Sequence, residues 1–346
     1  MFRFRPSALL LPLATLPLLA AGSPASLDPA PSRAPSVAPD WPEIQASGWV
    51  NLLGEPPNVD RLQGQTVVLV FITTDPDSQG GANWRVLRKL HYDHHDKGVV
   101  FLGVSTASTA AMETYLENNL VPFPVACGSN SASAFGASST AFSQILIDKN
   151  GEEEWRGPTN GIWNGLLLKT ARGSDRVGPE GALRLHIEGE LPRPVERQAE
   201  RLSEGELGKA LGDLDEMLAD PELDEDVRRD AQLVRDAAAD HVARLEGQIR
   251  RMLERGEVLP AIEVLEVFAR DLRRHELGAS VTALLEYAEE DEQIQEEVEA
   301  AEDYEHLVNQ YWSRGPSKAA ARLERLIEEH RGTLAARKAR LLLDDR

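Results

Sequence analysis

Hydrophobic positions change period partway along the chain. Val67 to Phe71 is an unbroken apolar, β-branched run, the pattern of a strand buried on both faces. From Ala82 to His95 the apolar residues Trp84, Val86, Leu87 and Leu90 recur at helical spacing. Lys97-Gly98 then leads into a second apolar run, Val99 to Val104. The pattern predicts a further helix over Ala110–Asn119 and strands over Phe123–Ala126 and Ile145–Asp148. Lys149-Asn150-Gly151 reads as a turn. Glu152–Trp155 would return as an antiparallel strand, and Ile162–Ala171 would form a closing helix. Strand–helix–strand followed by a hairpin and a helix is an α/β pattern with a mixed sheet.

Beyond about Pro192 the period is helical throughout. Leu207, Leu211, Leu214, Met217 and Leu218 make one stripe. A longer helix runs from Val227 towards Arg255, where Gly256 breaks it. Leu259, Ile262, Leu265 and Phe268 make the next stripe, and Val281, Leu284 and Leu285 start another. The stretch Tyr304–Trp312, Arg314-Gly315-Pro316, Ala319–His330, Gly332 and Leu334–Leu343 reads as helix, tight turn, helix, helix. The expected organisation is therefore an α/β domain over 41–171, a connecting segment over 172–192 and an all-α, repeat-like region over 193–346.

The amino terminus has a different character. Arg3 and Arg5 precede an apolar, leucine-rich stretch that ends in Ala20, Ala21, Gly22 and Ser23. A basic start, an apolar stretch and a small-residue exit define a secretory signal peptide, assigned here to residues 1–25. An uncleaved anchor is the competing reading. The stretch falls short of the roughly 20 apolar residues of a membrane span, and Pro12 and Pro17 interrupt it. Residues 26–40, rich in Pro, Ala and Ser, read as an extended linker. The expected location is periplasmic or extracellular, with no membrane span in the mature chain.

Charge narrows the choice of partners. The chain of 346 residues has a formal net charge of −20, which argues against nucleic acid, whose phosphates call for Lys and Arg. From Glu188 onward there are 40 acids and 23 bases, and Glu286–Glu305 holds eleven acids and no base. Such a run is a solvated helix face, and it points to a protein partner with a basic surface. The single cysteine, Cys127, excludes an intramolecular disulfide, a CxxC pair and a multi-cysteine metal site. No phosphate-binding loop, GxGxxG or GxSxG occurs, so no cofactor is expected.

Four segments in order, LQGQTVVLVFITTD, HHDKGVVFLGVS, FPVA and ILIDKNGEEEWRG, resemble the redoxin branch of the thioredoxin superfamily. That branch includes exported TlpA/ResA-like thiol:disulfide oxidoreductases and AhpC/TSA peroxiredoxins. The resemblance covers roughly residues 49–171 and implies a thioredoxin-like fold. It also implies a W-C-x-x-C motif at the start of the helix after the first buried strand, where amides and dipole lower a thiol pKa. Here that stretch reads Ile72-Thr73-Thr74-Asp75-Pro76-Asp77-Ser78-Gln79, with Pro76 and Gln79 in the places of the two cysteines. The family's cis-proline would precede the strand at Ile145. Ala141-Phe142-Ser143-Gln144 stands there, with Phe142 at the proline's position. The SKAAARLERLIEEHRG segment resembles the end of a tetratricopeptide-like array, and GELGKALGDLDEMLAD resembles it more weakly.

Candidate chemistry is sparse. Asp75, Asp77 and Ser78 are good helix caps, while Asp75 with Asp77 offers two of the several oxygens a cation takes. Cys127 ends a predicted strand without a His or Lys beside it. It reads as a small buried residue, or alternatively as a one-cysteine thiol acting with a cysteine from another protein. His91, His94 and His95 share a helix face. They read as a solvent-facing helix end, with zinc as the alternative. The reading that follows is a noncatalytic binding or scaffold module with no catalytic, cofactor or metal residues assigned. Thiol–disulfide exchange through Cys127 is the alternative.

Overall fold

The computed structural model describes residues 41–346 apart from 74–83, 139–140, 159–160, 177, 315 and 345–346. The signal peptide and linker of the sequence reading lie outside these residues. Six strands form one sheet: β1 (Gly48–Val50), β2 (Thr66–Phe71), β3 (Val99–Val104), β4 (Val125–Cys127), β5 (Ser143–Ile147) and β6 (Glu153–Gly157). Their order is β1-β4-β3-β2-β5-β6. β2, β3 and β4 are parallel, and β1, β5 and β6 each pair antiparallel to a neighbour. Three helices accompany the sheet: α1 (Trp84–His94), α2 (Thr109–Asn119) and α3 (Asn164–Thr170).

Alternation along β2 assigns the two faces. Val68 and Val70, with Ile72 beyond the strand end, join Trp84, Leu87 and Leu90 of α1, Met112 and Leu116 of α2 and Leu167 of α3 in one core. Val67, Leu69 and Phe71 point the other way, onto Ile44, Val59, Ala132 and Phe135. Irregular chain therefore covers the second face. Trp41 stacks on Phe135 with centroids 6.0 Å apart and donates its indole N–H to Gly151 O at 2.8 Å. β1 falls outside the sequence expectation, because three residues are too few to show a period. Between β5 and β6 the register shifts at Leu146/Ile147. Glu154 is the extra residue of that bulge, the kind of irregularity that blunts a sheet edge.

Eight helices follow a connecting segment: α4 (Arg193–Glu204), α5 (Leu207–Ala219), α6 (Glu225–Glu254), α7 (Val258–Leu272), α8 (Gly278–Glu290), α9 (Glu292–Arg314), α10 (Pro316–Glu329) and α11 (Leu334–Asp344). Each helix packs on the next, and most also pack on the next but one. α4 to α8 share one core with Leu183 and Leu185 of the connecting segment. α9, α10 and α11 build a second core around Tyr311, Leu323 and Ala339.

One turn occurs twice. After α4, Gly205 has φ +87°, its N–H donates to Leu202 O, and Glu206 N–H donates to Arg201 O. After α6, Gly256 has φ +80°, its N–H donates to Leu253 O, and Glu257 N–H donates to Met252 O. Both are glycine-terminated caps that need a left-handed residue. Buried Leu207, Ala210 and Leu214 follow the first, and Val258, Ala261 and Leu265 follow the second at the same spacing. The acidic stretch is two helices, because Asp291 accepts from Gln293 N–H and Ile294 N–H, both at 3.0 Å, and caps α9.

The helices and the sheet domain lie in one compact unit, Ala38–Arg346. Gln248 of α6 pairs with Gly54, Arg255 reaches Glu113 of α2, and Tyr92 of α1 donates to Glu305 O at 3.2 Å.

Candidate functional site

The place where the resemblance puts its chemistry is the head of α1 together with the start of β5. Pro76, Asp77, Ser78 and Gln79, and Asp75 with them, lie outside the described residues. β2 ends at Phe71, and Ile72 N–H continues the pairing to Val104 O at 2.9 Å. Across from it, Phe142 is 6% exposed. Its ring meets Trp84, the first residue of α1, edge-on at 5.9 Å and 87°. Trp84 in turn contacts Tyr115 and Phe123 at 6.1 and 6.5 Å and donates its indole N–H to Tyr115 OH at 3.2 Å. An aromatic cluster therefore occupies the start of β5.

Cys127 is the last residue of β4, held between β1 and β3. Its sulfur has no exposure, and the side chain shares a core with Phe101, Val125 and Leu146. The thiol contacts Val125 O at 3.5 Å. Burial, reinforced by the charge of Glu113 and partly offset by a hydrogen bond with Thr109, pushes the thiol up to about 11. A neutral thiol is a poor nucleophile.

The three histidines do different work. His91 lies edge-on to Phe101 at 5.3 Å and stacks on His95 at 4.9 Å. Burial, then the nearby His95 and Lys338, hold it down to about 3. His94 is fully buried, with Nε2 2.5 Å from Asn164 Oδ1 at the start of α3. Burial lowers its pKa against the opposing effect of that hydrogen bond. His95 is exposed, and its Nδ1 lies 3.0 Å from His91 O. The expected solvent-facing helix end is thus mostly packed, because the last turn of α1 docks on α3 and on the phenylalanines beneath. Among the described residues, no three His, Cys, Asp or Glu side chains gather as a metal site.

One residue here escaped the sequence reading. Gln144 on β5 is fully buried, and among the described residues neither atom of its amide has a hydrogen-bond partner; the neighbouring Ser143 hydroxyl is in the same position. The signal for it is a glutamine inside the otherwise apolar run that ends in Ile145-Leu146-Ile147. At the carboxyl ends of β2 and β3, where α/β folds often bind ligands, the described residues Ser105, Ser129 and Ala132 line a small recess.

Residues 37–154 match the AhpC/TSA family. No curated protein matches the chain. Among solved structures, the chain is similar to a thiol-disulfide isomerase from Corynebacterium glutamicum, at 20% identity over 41% of this chain and 99% of that one, with TM-score 0.31. A putative thioredoxin from Neisseria meningitidis matches at 20% identity over 34% and 83%, with TM-score 0.28. AhpC of Mycobacterium bovis matches at 21% identity over 33% and 72%, with TM-score 0.25. By its mixed sheet, its helices and the family match, the first part of the chain is a thioredoxin-like domain of the redoxin superfamily.

Proposed function

We propose that the chain is an exported binding or scaffold protein that uses a thioredoxin-like domain without dithiol chemistry. The observation that carries this reading is the sulfur of Cys127, the chain's single cysteine, fully buried at the end of β4 in the core the sheet shares with α1, α2 and α3. A thiol that is both neutral and enclosed is suited to packing rather than to attack on a disulfide. The sequence supports it from the other side, with Pro76 and Gln79 in the places of the redox cysteines and Phe142 in the place of the proline. Export rests on the amino-terminal sequence pattern.

The partner is a protein with a basic surface. Glu286 and Glu289 of α8 and Glu292, Glu296, Glu299 and Glu302 of α9 are exposed, and opposite charge would steer and orient such a partner. The helices are read as a tetratricopeptide-like stack, supported by the repeated turn at Gly205 and Gly256 and by the packing of each helix on its neighbours. The test is reduction of insulin disulfides by the protein with dithiothreitol, beside Cys127→Ser. A rate no higher than dithiothreitol alone for both proteins is expected. Activity that disappears in the variant would overturn the reading in favour of exchange through Cys127 with a cysteine supplied by another protein.

A further inference from the structure

α6 is one of the helices that contact the thioredoxin-like domain. His241 and Gln248 stand seven residues apart along it and share one face, and Arg255, its C-cap, follows seven residues further on. Gln248 is buried and pairs with both backbone groups of Gly54: Gly54 N–H donates to Oε1 at 2.9 Å, and Nε2 donates to Gly54 O at 3.0 Å. Arg255 lies 3.8 Å from Glu113 of α2. His241 has no exposure, with Nε2 3.2 Å from Ala182 O and Nδ1 2.7 Å from Arg244 Nη2.

These two contacts fix the state of the ring. A guanidinium only donates, so Nδ1 is the bare, accepting nitrogen. Nε2 then carries the proton and donates to Ala182 O. A second proton has one place to go, Nδ1, where it would meet the Arg244 N–H. It would break that hydrogen bond and set two cations against each other at a ring without water. The carboxylate acting on the ring from another segment is Glu55, in the chain between β1 and β2. Glu55 favours the second proton, but it is itself engaged by His186, from N and Nδ1 at 3.0 Å each, and by Arg61 at 3.9 Å. Burial, then Arg244, outweigh it and hold the ring down to about 4. What the ring holds is the connecting segment: Ala182, Leu183 and Leu185 sit in the core of the helices.

We propose that His241 is a proton-operated clasp, whose protonation in acid releases the connecting segment around Ala182 from α6.

The experiment is hydrogen–deuterium exchange of the full chain at pH 7.5 and 4.5, corrected for intrinsic rates, read on residues 179–187 and on α7 as reference. A ring freed by opening titrates near 6.5, so linkage favours the open segment at pH 4.5 on the order of fifty-fold. His241→Gln keeps a donor for Ala182 O and an acceptor for Arg244 but takes no proton, and its exchange is expected to stay level. An equal rise in both proteins, or no rise in the wild type, overturns the clasp. Should His241→Gln fail to fold, Glu55→Gln replaces it. Removing that carboxylate is expected to move the wild-type rise to lower pH, and an unmoved midpoint overturns the clasp.

Discussion

The ionisation and the enclosure of Cys127 together set how fast it can react. The shift of its thiol from 9.0 to about 11 lowers the thiolate population at pH 8 about a hundredfold, from roughly a tenth of the molecules to about one in a thousand. Enclosure sets a second and tighter limit, because the opened thiol regains its ordinary pKa. Cys127 pairs with Gly48 across β1, and β4 is an interior strand of the sheet, so exposing the sulfur means opening the sheet. Openings of interior strands cost a large part of global stability, on the order of 5 kcal/mol or more, which is at least a thousandfold in population. The perturbation is urea, and the assay is thiol labelling at pH 8 with 5,5′-dithiobis(2-nitrobenzoate). In strong urea the thiol is expected to react at the rate of a free cysteine. In buffer it is expected to react at least about a thousandfold more slowly, with a rate that rises with urea along the global unfolding curve. Native labelling within about tenfold of the unfolded rate would refute the reasoning, because it would require an accessible thiolate.

Three further outcomes follow from particular side chains. Gln144→Met replaces a buried amide without a partner among the described residues with an apolar group of similar length, and stability by urea denaturation should rise by about 1–3 kcal/mol; a fall would show that the amide is paired. Phe142→Ala removes the edge-on contact with Trp84 from a site 6% exposed, and calorimetry should show a loss of about 3–5 kcal/mol; a loss under 1 kcal/mol would mean the cluster is loosely packed. Asp291→Ala removes the cap of α9 and should cost about 1 kcal/mol by urea denaturation, with an unchanged midpoint counting against the break at that residue.

The sheet strands were legible where burial on both faces demands continuous apolar runs, as in Val67–Phe71 and Val99–Val104. The helices were legible where one stripe faces a core. Cys127 was legible too, since a strand-end cysteine without a base beside it is enclosed as its surroundings foretell. What the sequence hid were features set by a partner elsewhere in the chain. His94 looks like a surface residue until Asn164 arrives from α3. The break at Asp291 is hidden because one capping acid looks like its acidic neighbours. β1 exists because it pairs with β4, and three residues carry no period of their own.

The docking of the two regions belongs to the same class of hidden feature, for a chemical reason. A hydrophobic interface leaves a stripe that can be read from spacing. Here part of the join between α6 and the sheet domain is a glutamine on the backbone of Gly54 and an arginine near Glu113, while a histidine on Ala182 O seats the connecting segment. Glycine and carbonyl partners have no sequence signature, so such a join is invisible until the chain is folded. It is also conditional. Buried polar contacts contribute only while every member is paired, and a ring that accepts from a guanidinium stays paired only while it is neutral. The apolar cores of the two regions do not depend on protonation, and the contact between His241 and Ala182 does. A chain built this way couples the protonation of one ring to the seating of the connecting segment on α6.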